Sequence, residues 1–341
     1  MTSSSNLINH TERRFQSLLS LTIVVIFLLI LAGGIVRGTG SGMGCPDWPK
    51  CFGQWIPPTE VSQLPPNYQQ IYGAKLKGEV EFNAVKTWIE YVNRLLGVLS
   101  GLLVFATVVS SFSFLRKDKA IFWGSVAALL LIGANGWLGS RVVATELAHY
   151  MITLHLLLAI LVVFSLLFVY VRVSSPQRDI LTPKKILVSR SFNKLLLVTM
   201  LLSFGQILLG TQVREALDEV VGRLGYEQRA NWVDSLDWRF YVHRSFSLII
   251  LAFHIAVIVR LRKALHSVWL TQIANALIWL VVAEIATGAI MGYFGVPAFA
   301  QPIHLLLAVV MIGFQFMAWL IVNPSLSLSK EASRKAHLLE I

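Results

Sequence analysis

Charge is what this 341-residue sequence has least of. Only 14% of its residues are charged, 55% are hydrophobic, and the mean hydropathy is +0.67. A soluble domain carries about 25% charged residues, so that class is excluded. Cysteine is almost absent too, with Cys45 and Cys51 the only two. They lack the Cys-x-x-Cys-His spacing of c-type haem attachment, and no neighbouring His or further Cys accompanies them to make a zinc site. The first sixteen residues, MTSSSNLINHTERRFQ, are polar and short. They show no secretory cleavage pattern and are too brief for an organelle transit peptide.

What the chain has instead is a series of long apolar runs. Eight spans are expected, at 17–36, 87–114, 120–139, 150–171, 195–212, 239–259, 270–291 and 301–322, each near the ~20 residues a bilayer core requires. The predicted class is all-α, a polytopic membrane protein. The net charge of +11 is unevenly spread. With a cytoplasmic N-terminus, the inside segments hold 17 of the 29 basic residues, among them Arg13, Arg116, Lys117, Arg172, Arg178, Lys184, Arg260, Arg262 and Lys335. The outside ones lie in longer loops rich in Asp and Glu or at helix ends. This distribution predicts both termini in the cytoplasm and a multi-pass protein of a bacterial inner membrane. It also makes the basic excess a matter of topology and lipid attraction rather than of nucleic-acid binding.

The chain reads as a duplication. "EYVNR" (90–94) pairs with "FYVHR" (240–244) at offset 150, and "LHLLLAILVV" (154–163) with "IHLLLAVVMI" (303–312) at offset 149. "GGIVR" (33–37) pairs with "GTQVR" (210–214) at offset 177, the difference falling in a longer first outside loop. Four spans per half is an even number, so the halves are parallel repeats. The expected organisation is a cytoplasmic tail (1–16), an N-terminal four-helix repeat (17–172), a cytoplasmic linker (173–194), a C-terminal four-helix repeat (195–322) and a second tail (323–341).

Of the eight His residues, His10, His266 and His337 fall in tails or an inside loop and His149 in an outside loop, where solvated surface roles suffice. His254 has no repeat partner and fits a helix-packing role. His155, His243 and His304 each sit shortly inside an even-numbered span, and Asn93 occupies the fourth equivalent position. Two facing helices with one imidazole each can grip a haem iron from both sides. The competing reading is interhelical hydrogen bonding by the three His. Intramembrane His is rare and usually functional, and matched depth and repeat symmetry favour haem.

Haem propionates need cations, and Arg supplies bidentate charge-assisted hydrogen bonds. Arg94 and Arg244 directly follow the axial positions, at a depth where burial is expected for both. Arg37 and Arg214 end the first and fifth spans, where snorkelling to lipid headgroups is an equal alternative. Glu90 precedes Asn93 on the same helical face, with Phe240 at its repeat position. A carboxylate at one site only can accept a proton or stabilise charge, or simply pair with Arg94 or Lys86. Glu284, deep in the seventh span, has Asn135 as its counterpart and no partner legible in the sequence. Cys45 and Cys51, both outside, suit either a structural disulfide or a reducible pair.

These residues carry a resemblance. "GGIVRGTGSGMGCPDWPKCFGQWIPP" (33–58), "EYVNRLLG", "LLGTQVRE", "YVHR" and the two "HLLLA" segments resemble haem A synthases over about 17–322. The resemblance implies an oxidoreductase that converts haem o to haem a for cytochrome oxidase, oxidising a porphyrin methyl to a formyl group. It implies haem b held in the second half by His243 and His304, a substrate haem o site in the first half with His155, a catalytic Glu90, and a cysteine pair at Cys45 and Cys51. The haem o synthase and the cytochrome oxidase assembly machinery are the implied partners. Asn93 departs from the pattern, since many members carry a second first-half His there. A non-catalytic b-type membrane cytochrome or haem-delivery factor is the alternative. A prenyltransferase is disfavoured, because no paired Asp-rich motif for diphosphate-bound magnesium is present.

Overall fold

In a computed structural model, residues 2–73, 81–174, 190–263 and 268–323 are described. Eight long helices form: α1 (Thr2–Gly38), α2 (Ala84–Ser111), α3 (Lys119–Ala144), α4 (His149–Val173), α5 (Arg190–Leu224), α6 (Trp238–Lys263), α7 (Val268–Tyr293) and α8 (Ala300–Val322). All eight are long and apolar enough to cross a membrane, and no strand occurs among the described residues. The chain is a multi-pass membrane protein. Large apolar side chains such as Leu102, Leu130, Leu201, Leu248 and Trp279 lie exposed along the spans, as lipid-facing residues do. His266, His337, Lys335 and most of the expected linker and C-terminal tail lie outside the described residues.

The helices pack as two rings. α1 packs on α2, α2 on α3, α3 on α4, and α4 returns to α1; α5, α6, α7 and α8 close in the same order. The rings meet where α1 and α4 pack on α8. That seam is tight: a methyl group on Gly34 of α1 would come within 2.9 Å of Pro302 of α8, so the helices approach this closely only because Gly34 has no side chain. Each ring has its own apolar core, one around Leu19, Val104, Ile160 and Leu166, the other around Leu196, Val257, Leu270 and Leu277. Small polar contacts pin neighbouring helices, as between Thr22 and Thr107 (3.1 Å) and from the Ser165 hydroxyl to the Gly124 carbonyl (2.8 Å). Such pins matter because lipid tails are as apolar as the helix faces they would replace.

Helix ends follow local chemistry. Asn83 caps α2 by accepting from the Lys86 amide, and Asp118 caps α3 by accepting from the Ala120 amide. Asp118 also receives a 2.6 Å hydrogen bond from Arg172, tying the start of α3 to the end of α4. The fifth span is expected to end near 212, yet α5 runs to Leu224. Its added turns bury Ala216, Leu217 and Val220 against Trp232, Leu236 and Val296, a spacing that places the three on one helical face. Apolar burial by a satellite core, not membrane depth, sets that boundary.

Candidate functional site

The four positions singled out by the repeat share one local frame. His155 lies against Gly139 of α3, His243 against Gly210 of α5, and His304 against Gly288 of α7. A methyl group on these glycines would stand 3.2, 3.4 and 3.6 Å from the imidazole Cε1. Asn93 takes the same place on Gly33 of α1, its Oδ1 at 3.9 Å from such a methyl. Each polar side chain thus rests on a glycine of the preceding helix, which leaves room for the ring and fixes its height. The glycines sit at matching places in the paired segments: Gly33 and Gly210 at the 177 offset of GGIVR and GTQVR, Gly139 and Gly288 at the 149 offset that also relates His155 to His304. That signal lies in the sequence, but the histidines alone do not reveal it.

The second ring is the more fully furnished. His243 of α6 and His304 of α8 belong to this ring, each on a glycine of the helix before it. The Nδ1 of His304 meets Glu284 Oε2 at 2.7 Å and Thr287 Oγ1 at 2.9 Å. The Thr287 hydroxyl points to the backbone carbonyls of Ala283 and Glu284, so it accepts from Nδ1 rather than donating to it. With Nδ1 occupied as a donor, the lone pair of His304 resides on Nε2, the nitrogen available to a metal. Glu284, without a legible partner in the sequence, has one here. The His243 Nδ1 is buried without a partner, and Gln206 donates to the His243 backbone carbonyl at 3.0 Å.

The first ring lacks the acid and hydroxyl that hold His304. The His155 Nδ1 and the Asn93 and Asn135 side-chain oxygens are buried without partners. No hydrogen bond or ion pair joins Asn93 to His155 among the described residues. What this ring has instead is a covered end. Cys45 and Cys51 form a disulfide with Cα atoms 4.8 Å apart. Its loop presses on α2, where a methyl on Gly44 would come within 2.5 Å of the Lys86 carbonyl. Glu90 is 4% exposed. One of its oxygens pairs with Arg94 at 2.5 Å and the other accepts the Cys45 amide at 2.9 Å. Arg94 also donates to the carbonyls of Cys45, Asp47 and Lys50. Pairing with Arg94, one of the two readings open from sequence, is what the structure contains, and the pair clamps the disulfide loop to α2.

The remaining cations are placed unevenly. Arg37 and Arg214 converge on one carboxylate, Asp218 of α5, at 2.5 and 3.0 Å. His149 is not merely solvated, for its Nδ1 lies 3.2 Å from Glu215. These contacts bridge α1, α4 and α5 at the disulfide end, and the acids involved sit on the unexpected extension of α5. Arg244, for which depth alone predicts burial like that of Arg94, is exposed and forms no ion pair with another described residue. Both arginines stand one residue past the ring position, turned about 100° from it; Arg94 is covered because the disulfide loop folds onto it. His254, in the second core, bonds the Ile250 carbonyl and Gln315, which in turn donates to Ser203. That is a packing contact across three helices.

The donor set fits haem iron. Imidazoles with a free Nε2 or an unpartnered ring nitrogen, set in an apolar bundle, are of the kind that binds haem axially. Among the described residues no cluster of three or more His, Cys, Asp or Glu is placed to hold a bare ion.

Comparison with known proteins gives the family. A family profile, COX15-CtaA, described as cytochrome oxidase assembly protein, matches residues 16–316. Curated relatives include the Heme A synthase of Shewanella oneidensis, 28% identical over 219 residues, a stretch covering 64% of this chain and 62% of that protein. The Heme A synthase of Bartonella bacilliformis is 31% identical over 45% of this chain and 46% of its own length. That of Rickettsia prowazekii is 23% identical over 86% of this chain and 93% of its own length. The first of these alignments therefore spans somewhat under two thirds of the relative it matches, while the last spans nearly all. With its profile match running through all eight helices, the chain belongs to the COX15-CtaA family of cytochrome oxidase assembly proteins.

Proposed function

We propose that this protein is a haem A synthase of a bacterial inner membrane, with both termini cytoplasmic, built as two parallel four-helix repeats. It oxidises one methyl group of haem o to a formyl group, giving haem a for cytochrome oxidase. The observation that carries this is the repeated imidazole-on-glycine frame, complete in one ring and altered in the other. The family membership and the names of the relatives support it.

In this reading the second ring would hold haem b, with His243 and His304 as the residues offered to its iron. When bound, that haem supplies one-electron redox chemistry. His304 offers Nε2 because Glu284 and Thr287 occupy its Nδ1. Arg244, with no acid against it among the described residues, is the better propionate cation, whereas Arg37 and Arg214 would first have to exchange Asp218. The first ring receives haem o as substrate, with His155 as one ligand. Asn93 offers an amide, a poor iron ligand, so the substrate has at most one imidazole from this chain. A weaker grip suits a group that must arrive and leave.

Glu90 stands three residues before Asn93 on α2, with both oxygens engaged. It holds the loop over the first-ring site, and it can move a proton only by exchanging Arg94 or the Cys45 amide. That engagement favours a second reading, a non-catalytic b-type cytochrome or haem-delivery factor. The two separate cleanly in one experiment. Haems are extracted and chromatographed from membranes of cells that make haem o, with and without this chain. Haem a appearing with the wild type, and lost in Glu90→Ala while haem b is retained, supports the enzyme. Bound haem b with no haem a assigns the second reading. The haem o synthase and the oxidase assembly machinery are its proposed partners.

A further inference from the structure

The buried acid in the second ring, which helps occupy the His304 Nδ1, is specifically placed. Glu284 lies in the middle of α7, mostly shielded, with Oε2 on the His304 Nδ1 and Oε1 buried without a partner. An acid in a spanning helix is costly to insert, so it persists only where something offsets it. Its sole hydrogen-bonding partner among the described residues is the imidazole. The repeat position holds Asn135, whose side-chain oxygen meets no donor, and the matching His155 has an unpartnered Nδ1. The carboxylate and the second imidazole are therefore missing from the same ring.

We infer that Glu284 is the positioning residue that sets the donor strength of His304, and through it the reduction potential of the second-ring haem. This rests on the reading that His304 ligates that haem. A hydrogen bond from Nδ1–H to a carboxylate fixes the tautomer and the ring orientation, and it raises the basicity of the ligating nitrogen. A more basic axial ligand favours the ferric over the ferrous state, which lowers the potential. The amide at Asn135 gives His155 no such bond. The arrangement makes the two rings electronically unequal in a fixed direction, with the second-ring haem the stronger reductant of the two for equal surroundings. Thr287, the other group on Nδ1, is neutral and keeps the ring aligned when the acid is altered.

The test is a spectroelectrochemical titration of the purified, haem-loaded protein, comparing wild type with Glu284→Gln, Glu284→Asp and His304→Ala. The expected result is a haem b midpoint potential raised in Glu284→Gln, with its low-spin spectrum kept, and a potential near wild type in Glu284→Asp. Haem retained in Glu284→Asp but lost from Glu284→Gln also supports the inference, since charge then decides ligation. An unchanged potential in Glu284→Gln overturns it. Loss of haem from Glu284→Gln and Glu284→Asp alike overturns it too, assigning the acid to packing. Failure of the underlying reading looks different: His304→Ala would keep the wild-type low-spin spectrum.

Discussion

In the second ring, an imidazole on α8 is tethered by an acid and a hydroxyl, and α6 carries another imidazole. In the first, the imidazole on α4 has neither an acid nor a hydroxyl on its Nδ1, and the residue on α2 that corresponds to the second imidazole is Asn93. Yet both rings close in the same helix order, and both set these side chains on glycines of the preceding helix. The difference teaches that the frame and the grip are separable. The glycines make a slot of suitable height in either ring; the ligands and their tether determine how firmly the slot holds its occupant. The first ring compensates at its mouth, where the disulfide loop, Glu90 and Arg94 form a lid with no counterpart at Phe240 and Arg244.

The comparison has consequences that mutation can check. The largest concerns the grip itself. His243→Ala or His304→Ala should abolish the low-spin b-type spectrum of the purified protein, whereas Asn93→Ala should leave it intact; an unchanged spectrum in either His variant would refute the ligand assignment. Next comes the lid. Removing Arg94 strands the buried Glu90 carboxylate, and breaking such a pair costs on the order of 3–5 kcal/mol. Thermal unfolding of the haem-free protein in detergent should show a large loss for Arg94→Ala and a near-zero one for the exposed Arg244→Ala. Equal effects would erase the distinction between the rings at their mouths.

A smaller effect is expected for the disulfide. Replacing Cys45 and Cys51 with Ser together should cost about 2 kcal/mol by loop entropy, and hydrogen exchange should locate the loosening in the first loop and the start of α2, with the second ring unmoved. The smallest is a graded series on the frame. A methyl at Gly139 would stand 3.2 Å from the His155 ring, tight enough to overpack by about 1 kcal/mol, whereas at Gly210, Gly288 and Gly33 the spacings of 3.4, 3.6 and 3.9 Å are ordinary contact, so alanine should cost most at Gly139 and become progressively neutral along the series. A series without order would mean the glycines serve something other than the slot.

Much of the architecture is legible in the amino-acid sequence. Eight apolar runs specify eight helices, because a bilayer leaves the backbone little alternative. The offsets pair Asn93 with His243 and His155 with His304; the second of them also pairs Gly139 with Gly288, while Gly33 and Gly210 pair through the GGIVR and GTQVR segments. Other features are hidden for physical reasons. The tether of His304 joins residues on α7 and α8, and no local periodicity reports a contact between helices. Arg37 and Arg214 look like propionate cations by depth, but their shared Asp218 sits on turns of α5 that hydropathy assigns to a loop. Arg94 and Arg244 look alike in sequence, and only the loop folded over α2 makes one buried and the other exposed. Hydropathy finds spans; it does not see what the loops do when they fold back.

The proposed inequality of the two rings can be followed as haem leaving each one. Protein loaded with haem b and haem o is mixed with an excess of a haem-scavenging apoprotein, and transfer is followed by absorbance with chromatographic identification of each haem. The account predicts a fast phase carrying haem o, lost in His155→Ala, and a slow phase carrying haem b, lost in His243→Ala. Transfer of both haems at one rate, or a fast phase that survives His155→Ala, would contradict it.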